Sequence, residues 1–260
     1  MRDFTINSYK QLLMTLQSKG FRFIPFKDYF EQPSSRFVIL RHDVDAKKLN
    51  SLKTARIENQ LGIASTYYFR VVPQSFDPEV IREIASLGHE IGYHYETMTT
   101  CNGNIDKAYT EFCVNLEKLR QLYPVKTICM HGSPKSSKDS KDLWTKYDYR
   151  KLGIIGEPYF DVDFSQVLYL TDTGRRWDGY NVSIRDKIPV HQDQWKRDGL
   201  VFHSTVDIIV AADNHQLPSQ IMMTVHPQRW QNEPIPWIQE LVLQRMKNAI
   251  KGYLIKNNYL

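Results

Sequence analysis

Apolar positions in this 260-residue chain fall into two alternating patterns. The first is a short, nearly continuous apolar run that stops abruptly at polar or charged residues. It occurs as FVIL (37–40), STYYF (65–69), EIGYHY (90–95), KTICM (126–130), QVLYL (166–170) and IMMTV (221–225). Runs of this kind suit parallel strands buried on both faces. The second pattern returns apolar residues at steps of three and four, as one buried helix face requires. The stretch DPEVIREIASLG (77–88) has Asp77 as a cap, Pro78 in the first turn and Gly88 as its stop. Ala108, Phe112, Leu116, Leu119 and Tyr123 mark a second helix. Ile238, Leu241, Val242, Met246, Ala249 and Tyr253 mark a third, and both stripes are expected to face the core. Positions 148–200 are less periodic, rich in Gly, Asp and aromatics, and read as long loops with short strands.

Strand and helix in alternation give an α/β fold with a parallel sheet. Six to seven mostly parallel strands in this length favour an irregular (β/α) barrel, short of the full eight. No internal repeat, low-complexity tract or Gly/Ser linker divides the chain, so one domain is expected over residues 1–260.

Composition narrows the class without changing the fold. A hydrophobic content of 42% and a charged content of 24% are those of a soluble globular protein. The net charge of +5 is spread among mixed signs with no basic block, which argues against nucleic acid as a partner. No apolar run is long enough to span a bilayer. The opening MRDFTINSYKQLL lacks the apolar stretch of a signal peptide. Cys101, Cys113 and Cys129 are odd in number and lack metal-knuckle spacing. Cys113 and Cys129 read as small buried hydrophobes. The expectation is a cytoplasmic protein with a small-molecule partner.

The chemistry gathers where the strands stop. FVIL leads into RHDVD, EIGYHY into ETM, KTICM into HGSPK, QVLYL into TDTGRRW and IMMTV into HPQRW. In parallel α/β folds the C-terminal ends of the strands open on one face, where active sites assemble. Asp43 and Asp45 lie two apart and point the same way on an extended strand. Two carboxylates that close resist joint ionisation unless a cation stands between them, so one Asp is expected on a divalent metal and the other free as a base. Capping of the next helix is the competing reading for Asp45. His94 and His131 end two further strands; His94 reads either as a satisfied rim histidine or as a metal ligand with Asp45, and His131 then completes a three-ligand site of the type that keeps a position open for water. His226 reads as a general acid or base, or as a structural hydrogen-bonder. In TDTGRRW, Asp172, Arg175, Arg176 and Trp177 stand together and offer a planar donor fork beside a flat apolar face, suited to a sugar or a carboxylate; an inter-loop salt bridge is the alternative, for Arg176 above all. Tyr169 and Trp230 extend that aromatic platform. Ser133, two after His131, does not make a nucleophile pair on spacing alone. Nucleotide-binding glycine loops and the nucleophile elbow are missing from the sequence.

RHDVD, then GHEIGYH, then a late TVHP resembles the polysaccharide deacetylase family of carbohydrate esterases, over residues 37–230. The resemblance implies an irregular (β/α) barrel, one divalent metal with zinc as first choice, and amide hydrolysis on a carbohydrate. It implies Asp43 as general base, Asp45 and His94 as metal ligands, His226 as general acid, and His89 and Glu90 as scaffold. The Asp and Trp of TDTGRRW sit where that family lines its pocket. This chain departs from the pattern at Val44, which separates two normally adjacent aspartates, and at "MHGSP", where Arg and Pro are usual. It departs again at Met98, which stands where the second metal histidine falls; a thioether is a poor zinc ligand. His131 is the preferred replacement, Glu96 the second, and a broken metal site the third. The expected activity is removal of an acetyl group from an N-acetylated sugar, on a nucleotide-linked, lipid-linked or free carrier. A metal-free carbohydrate-binding relative, and another amide, ureide or phosphoester hydrolase on the same barrel, are the alternatives.

Overall fold

The computed structural model describes residues 2–31, 35–132, 138–178, 183 and 185–256. Ser133 lies outside the described residues. Among the described residues, seven strands form one sheet: β1 (Arg22–Ile24), β2 (Phe37–Val44), β3 (Thr66–Phe69), β4 (Glu90–Tyr95), β5 (Ile128–Met130), β6 (Leu168–Thr171) and β7 (Gln220–Val225). Their order is β5-β4-β3-β2-β7-β6, and β1 pairs with the first half of β2. Every pairing is parallel. All eight residues of β2 are buried, which is why its sequence shows an apolar run and not an alternation. The sheet curls into an incomplete barrel, since β5 and β6 do not pair with each other among the described residues. The three-residue β1 is too short to stand out as a run in the sequence.

The chain returns between strands through α1 (Ile6–Ser18), α2 (Lys48–Gln60), α3 (Pro78–Ser86), α4 (Thr97–Thr100), α5 (Ile105–Arg120), α6 (Pro158–Asp161), α7 (Pro189–Arg197), α8 (Thr205–Asp213) and α9 (Pro234–Lys256). In α3, Asp77 accepts from the backbone N–H of Glu79 and Val80, and Pro78 fills the first turn, as the sequence predicts. The stripe of α5 packs inward, with Ala108, Phe112, Leu116 and Leu119 buried. The segment expected to be loops with short strands contains, among the described residues, β6, the two short helices α6 and α7, and one 3-10 turn at Tyr149–Leu152.

Helix α9 overturns an expectation. Its apolar stripe faces outward: Ile238, Val242, Met246 and Tyr253 are 52%, 51%, 58% and 64% exposed. The face turned to the protein is the polar one, on which Gln244 is buried and Glu240, Asn248 and Lys251 are half-buried. Asn248 donates to the Gly174 carbonyl at 2.8 Å. The inward face is polar because it closes over a polar cleft.

Two apolar clusters flank the sheet. One joins α1, β1, β6, β7 and α8, and the other joins β3, β4 and β5 with α2, α3 and α5. Between the sheet and helices α1 and α2 lies a polar knot. Glu58 accepts from Tyr9 at 2.6 Å, Tyr67 at 3.0 Å and Ser65 at 2.5 Å, and sits 2.8 Å from His42 Nε2. His89 bonds the Ala55 carbonyl at 3.0 Å, and Glu90 accepts from Thr66 and Thr127. Both are scaffold, as the resemblance implies.

Candidate active site

Strand alternation sorts the charges bunched at the end of β2. Successive side chains point to opposite faces, so His42 leaves for the polar knot, where it stacks on Tyr67 with ring centroids 4.1 Å apart. Arg41 and Asp43 point into the barrel. Asp45 follows them, just past the strand. It does not cap the next helix: α2 starts from Lys47 in the left-handed region (φ 53°) with no side-chain cap. Its carboxylate turns instead into a cleft of about 1010 Å³ lined by Asp43, Asp45, His94, His131 and His226.

Three ligand-type atoms meet on the cleft floor. Asp45 Oδ1 lies 3.1 Å from His131 Nδ1 and 3.4 Å from His94 Nε2, and those two nitrogens are 3.2 Å apart. That Oδ1 is buried yet accepts no aligned hydrogen bond. A buried carboxylate oxygen without a donor is costly, and here two imidazole nitrogens converge on it. The three residues form a possible metal site. His94 Nδ1 bonds the Cys129 carbonyl at 3.0 Å, which directs Nε2 to the floor in the way that oriented metal histidines require. The parallel register pairs His94 with Cys129 and makes that bond local. His131 Nε2 faces Glu96 at 3.8 Å, while Arg70 grips Glu96 at 2.6 Å and 2.9 Å. Glu96 is thereby placed behind His131 and away from the ligand cluster. Met98 is buried in the apolar cluster beside β4 and takes no part in the floor.

The charges on the floor act on one another. Burial pushes the Asp45 carboxyl up, but His131, His94 and His226 outweigh it and hold its pKa well below the usual range. Burial pushes His94 down, and Asp43 with Asp45 outweighs that, leaving it raised. Asp43 Oδ2 is 3.6 Å from the guanidinium of Arg41, and its Oδ1 is buried without a hydrogen-bond partner. Arg41 is fully buried and held by Thr224 at 2.6 Å, by Tyr169 at 3.1 Å and by the Cys129 thiol.

On the far side, His226 Nδ1 lies 2.6 Å from Asp172 Oδ1, and its Nε2 is 3.8 Å from Asp45 Oδ2. Asp172 also accepts from Arg229 at 2.5 Å and from the Trp230 indole at 2.8 Å. Burial raises its carboxyl, but Arg229 and His226 prevail and its pKa is lowered. Asp172 therefore orients His226 and does not line the cleft, which corrects its expected contact with a sugar. Arg175 and Trp177 are also placed elsewhere. Trp177 is 4% exposed, packs with Phe4 and Trp230, and donates to Thr205 at 3.0 Å. Arg175 is buried over the rings of Phe4 and Trp237 and donates to the Trp237 carbonyl at 3.1 Å. Trp230 is core as well. What brings these residues inward is the turn after β6, where Gly174 and Arg175 both have positive φ. The pairing partner of Asp43 is Arg41.

Sequence reasoning misses Asp186. Its carboxylate collects the hydroxyls of Thr171 (2.7 Å), Tyr159 (3.1 Å), Tyr169 and Thr173, and its pKa falls to about 2 because His226, Arg41 and these hydroxyls overcome burial. It lines the cleft with Tyr159 and Thr173. A lone Asp in an aperiodic segment carries no local signal for this. Lys247 and Lys251 reach the same cleft from α9, and the sequence does not announce them either.

No family model and no curated protein matches the chain. Solved structures do match. Family 4 carbohydrate esterases are among them. The enzyme from Streptomyces lividans, in complex with acetate, is 14% identical, with 84% of this chain and 90% of that one covered and a TM-score of 0.39. The acetyl xylan esterase from Clostridium thermocellum, in complex with a cobalt ion, is 16% identical over 82% of this chain and 84% of that one, with a TM-score of 0.41. A family 4 pseudoenzyme from Bacillus anthracis is 12% identical over 85% of this chain and 67% of that one, with a TM-score of 0.40. Likenesses this distant decide nothing about chemistry, which rests on the residues of the cleft.

Proposed function

We propose that the cleft is the active site of a metal-dependent hydrolase that removes an acetyl group from an N-acetylated sugar or a related carbohydrate precursor. The observation that carries this reading is the convergence of His94 and His131 on the donor-less Oδ1 of Asp45, with Asp43 and His226 on either side. Asp45, His94 and His131 would hold one divalent cation, zinc first, because one carboxylate and two imidazoles are a borderline-ligand set. When bound, such an ion acidifies a water and draws charge from a carbonyl oxygen.

The protein's own residues do the rest. Asp43 accepts the proton of the attacking water at its partnerless Oδ1, and Arg41 offsets the charge of that carboxylate from 3.6 Å. Water adds its oxygen to the acetyl carbon, the C–N bond breaks, and acetate and a free amine leave. His226 delivers a proton to the departing nitrogen from Nε2. Asp172 on Nδ1 fixes that tautomer and stabilises the imidazolium, the part a buried Asp plays in a catalytic triad. The walls provided by Tyr159, Met130 and Gly132 leave space for a sugar ring beside the floor.

Elemental analysis of protein purified without chelator or affinity-tag metal tests the reading. About one equivalent of a divalent ion is expected, lost in both His94→Ala and His131→Ala. Asp43→Asn and His226→Gln should keep the ion and slow acetate release about 10²-fold or more. Retained turnover in Asp43→Asn removes its role as base. Protein that takes up no ion, even when one is supplied, is a binding protein and not this enzyme.

A further inference from the structure

The cleft's volume of about 1010 Å³ stands at the upper end of the roughly 300–1,000 Å³ of ordinary ligand pockets. The excess space has a sign. Six cationic side chains line the cleft: Lys47, Arg70, Arg185, Arg229, Lys247 and Lys251. Among them, Arg229 pairs with Asp172, Arg70 with Glu96 and Lys47 with Glu240 at 3.7 Å. Asp186 is consumed by four hydroxyls and Arg41. No ion pair within 4.0 Å serves Lys247 or Lys251 among the described residues, although both stand on the cleft side of α9.

Lys251 is half-buried there, and its position is an unfavourable one for a cation. Burial lowers its pKa first and the charges of Arg229 and Lys247 lower it further; Asp186 and Asp45 only partly compensate. Helix α9 thus sets Lys247, exposed, and Lys251, half-buried, one helical turn apart along the cleft. Two ammonium groups so placed match an anion of more than one charge, and lysine is a point-charge binder of phosphate.

We propose that the outer cleft binds a phosphate group carried by the substrate, so that the protein acts on an N-acetyl sugar attached to a phosphate or diphosphate carrier, with Lys247 and Lys251 as the specificity-determining residues. This deepens the deacetylase reading and rests on it for the sugar end alone. The phosphate end rests on charges of α9 that a neutral sugar has no use for. Nucleotide and polyprenyl carriers share that chemistry.

The test is calorimetric binding to the full-length protein as purified, comparing N-acetylglucosamine 1-phosphate with the neutral methyl glycoside of N-acetylglucosamine. The phosphorylated sugar is expected to bind about tenfold tighter or more, an advantage that shrinks as salt is raised. In Lys247→Gln/Lys251→Gln that advantage should disappear while the neutral sugar binds as before. These two side chains lie on a surface helix, and the unchanged affinity for the neutral sugar doubles as the check on folding. Equal affinities in the parent protein, binding of neither sugar, or an advantage that survives the double substitution would each overturn the proposal. The same sugar on uridine diphosphate, and on polyprenyl diphosphate in phosphatidylcholine vesicles, then distinguishes the carriers by which binds tighter. A phosphate preference in a protein that releases no acetate leaves this inference standing and overturns the deacetylase reading.

Discussion

At the scale of single residues, the floor behaves as a set of charges waiting for a cation. His94 has its pKa raised by Asp43 and Asp45 against the effect of burial, so in the metal-free protein a proton competes for Nε2. Metal affinity should therefore fall as pH drops below the raised His94 value, and binding near that pH should release a proton. Direct titration with zinc at several pH values checks this; an affinity flat with pH would mean that His94 is not a ligand. The same scale shows what a sequence conceals. Asp43, Asp45, His94 and His226 are legible because each ends an apolar run, a local signal. Arg175 and Trp177 mislead because neighbours in sequence need not be neighbours in a site. The positive φ at Gly174 and Arg175 turns the chain, and both side chains enter the core. Asp186 joins the site only through its hydroxyl partners, and nothing near it in the sequence announces that.

Among elements, α5 and α9 make the instructive pair. Both carry apolar residues at helical spacing, and the spacing says that one face is apolar without saying which way it points. In α5 the stripe seals the cluster beside β4 and β5. In α9 it points to solvent because the opposite face, with Gln244 and Lys251, is the one the cleft accepts. Substitutions should separate them. Phe112→Ala removes a fully buried ring and should cost about 3–5 kcal/mol. Met246→Gln, at a site 58% exposed, should change stability by about 0.5 kcal/mol or less. Urea unfolding of both variants measures the contrast, and a large loss at Met246 would show that its face is covered. The ends of the longer strands, by comparison, are readable, since a parallel strand buried on both sides has no choice of face; three-residue β1 is the exception.

Taken as a whole molecule, the protein keeps its chemistry on one side of the sheet and a second ionised group on the other. Glu58 is fully buried, and although burial raises its carboxyl, His42, His89 and Ser65 bring the pKa from 4.5 down to about 2. A depressed carboxylate adds stability that is fully present above its unfolded value and lost as pH falls through its folded one. The window is thus pH 4.5 down to about 2. Each pH unit between those two values is worth about 1.4 kcal/mol, so the group's share is on the order of a few kcal/mol. Thermal unfolding across that window should show the decline, and Glu58→Gln should be less stable at neutral pH with a shallower acid limb. An unchanged limb would assign acid sensitivity to the cleft carboxylates instead.

The pairing of β2 with β7 has a consequence in time. Phe37 and Gln220 are partners, so the central strand, with Asp43 at its end, is synthesised long before the strand that completes it and brings His226. At about 5–20 residues per second, translation of the intervening chain occupies roughly 10–35 s. Through that interval one edge of β2 has no native neighbour, and its unpaired N–H and C=O groups are a template for any passing strand. Birth is the hazardous period for this protein: the half of the cleft that holds the base must be kept from foreign partners until the half that holds the acid has emerged.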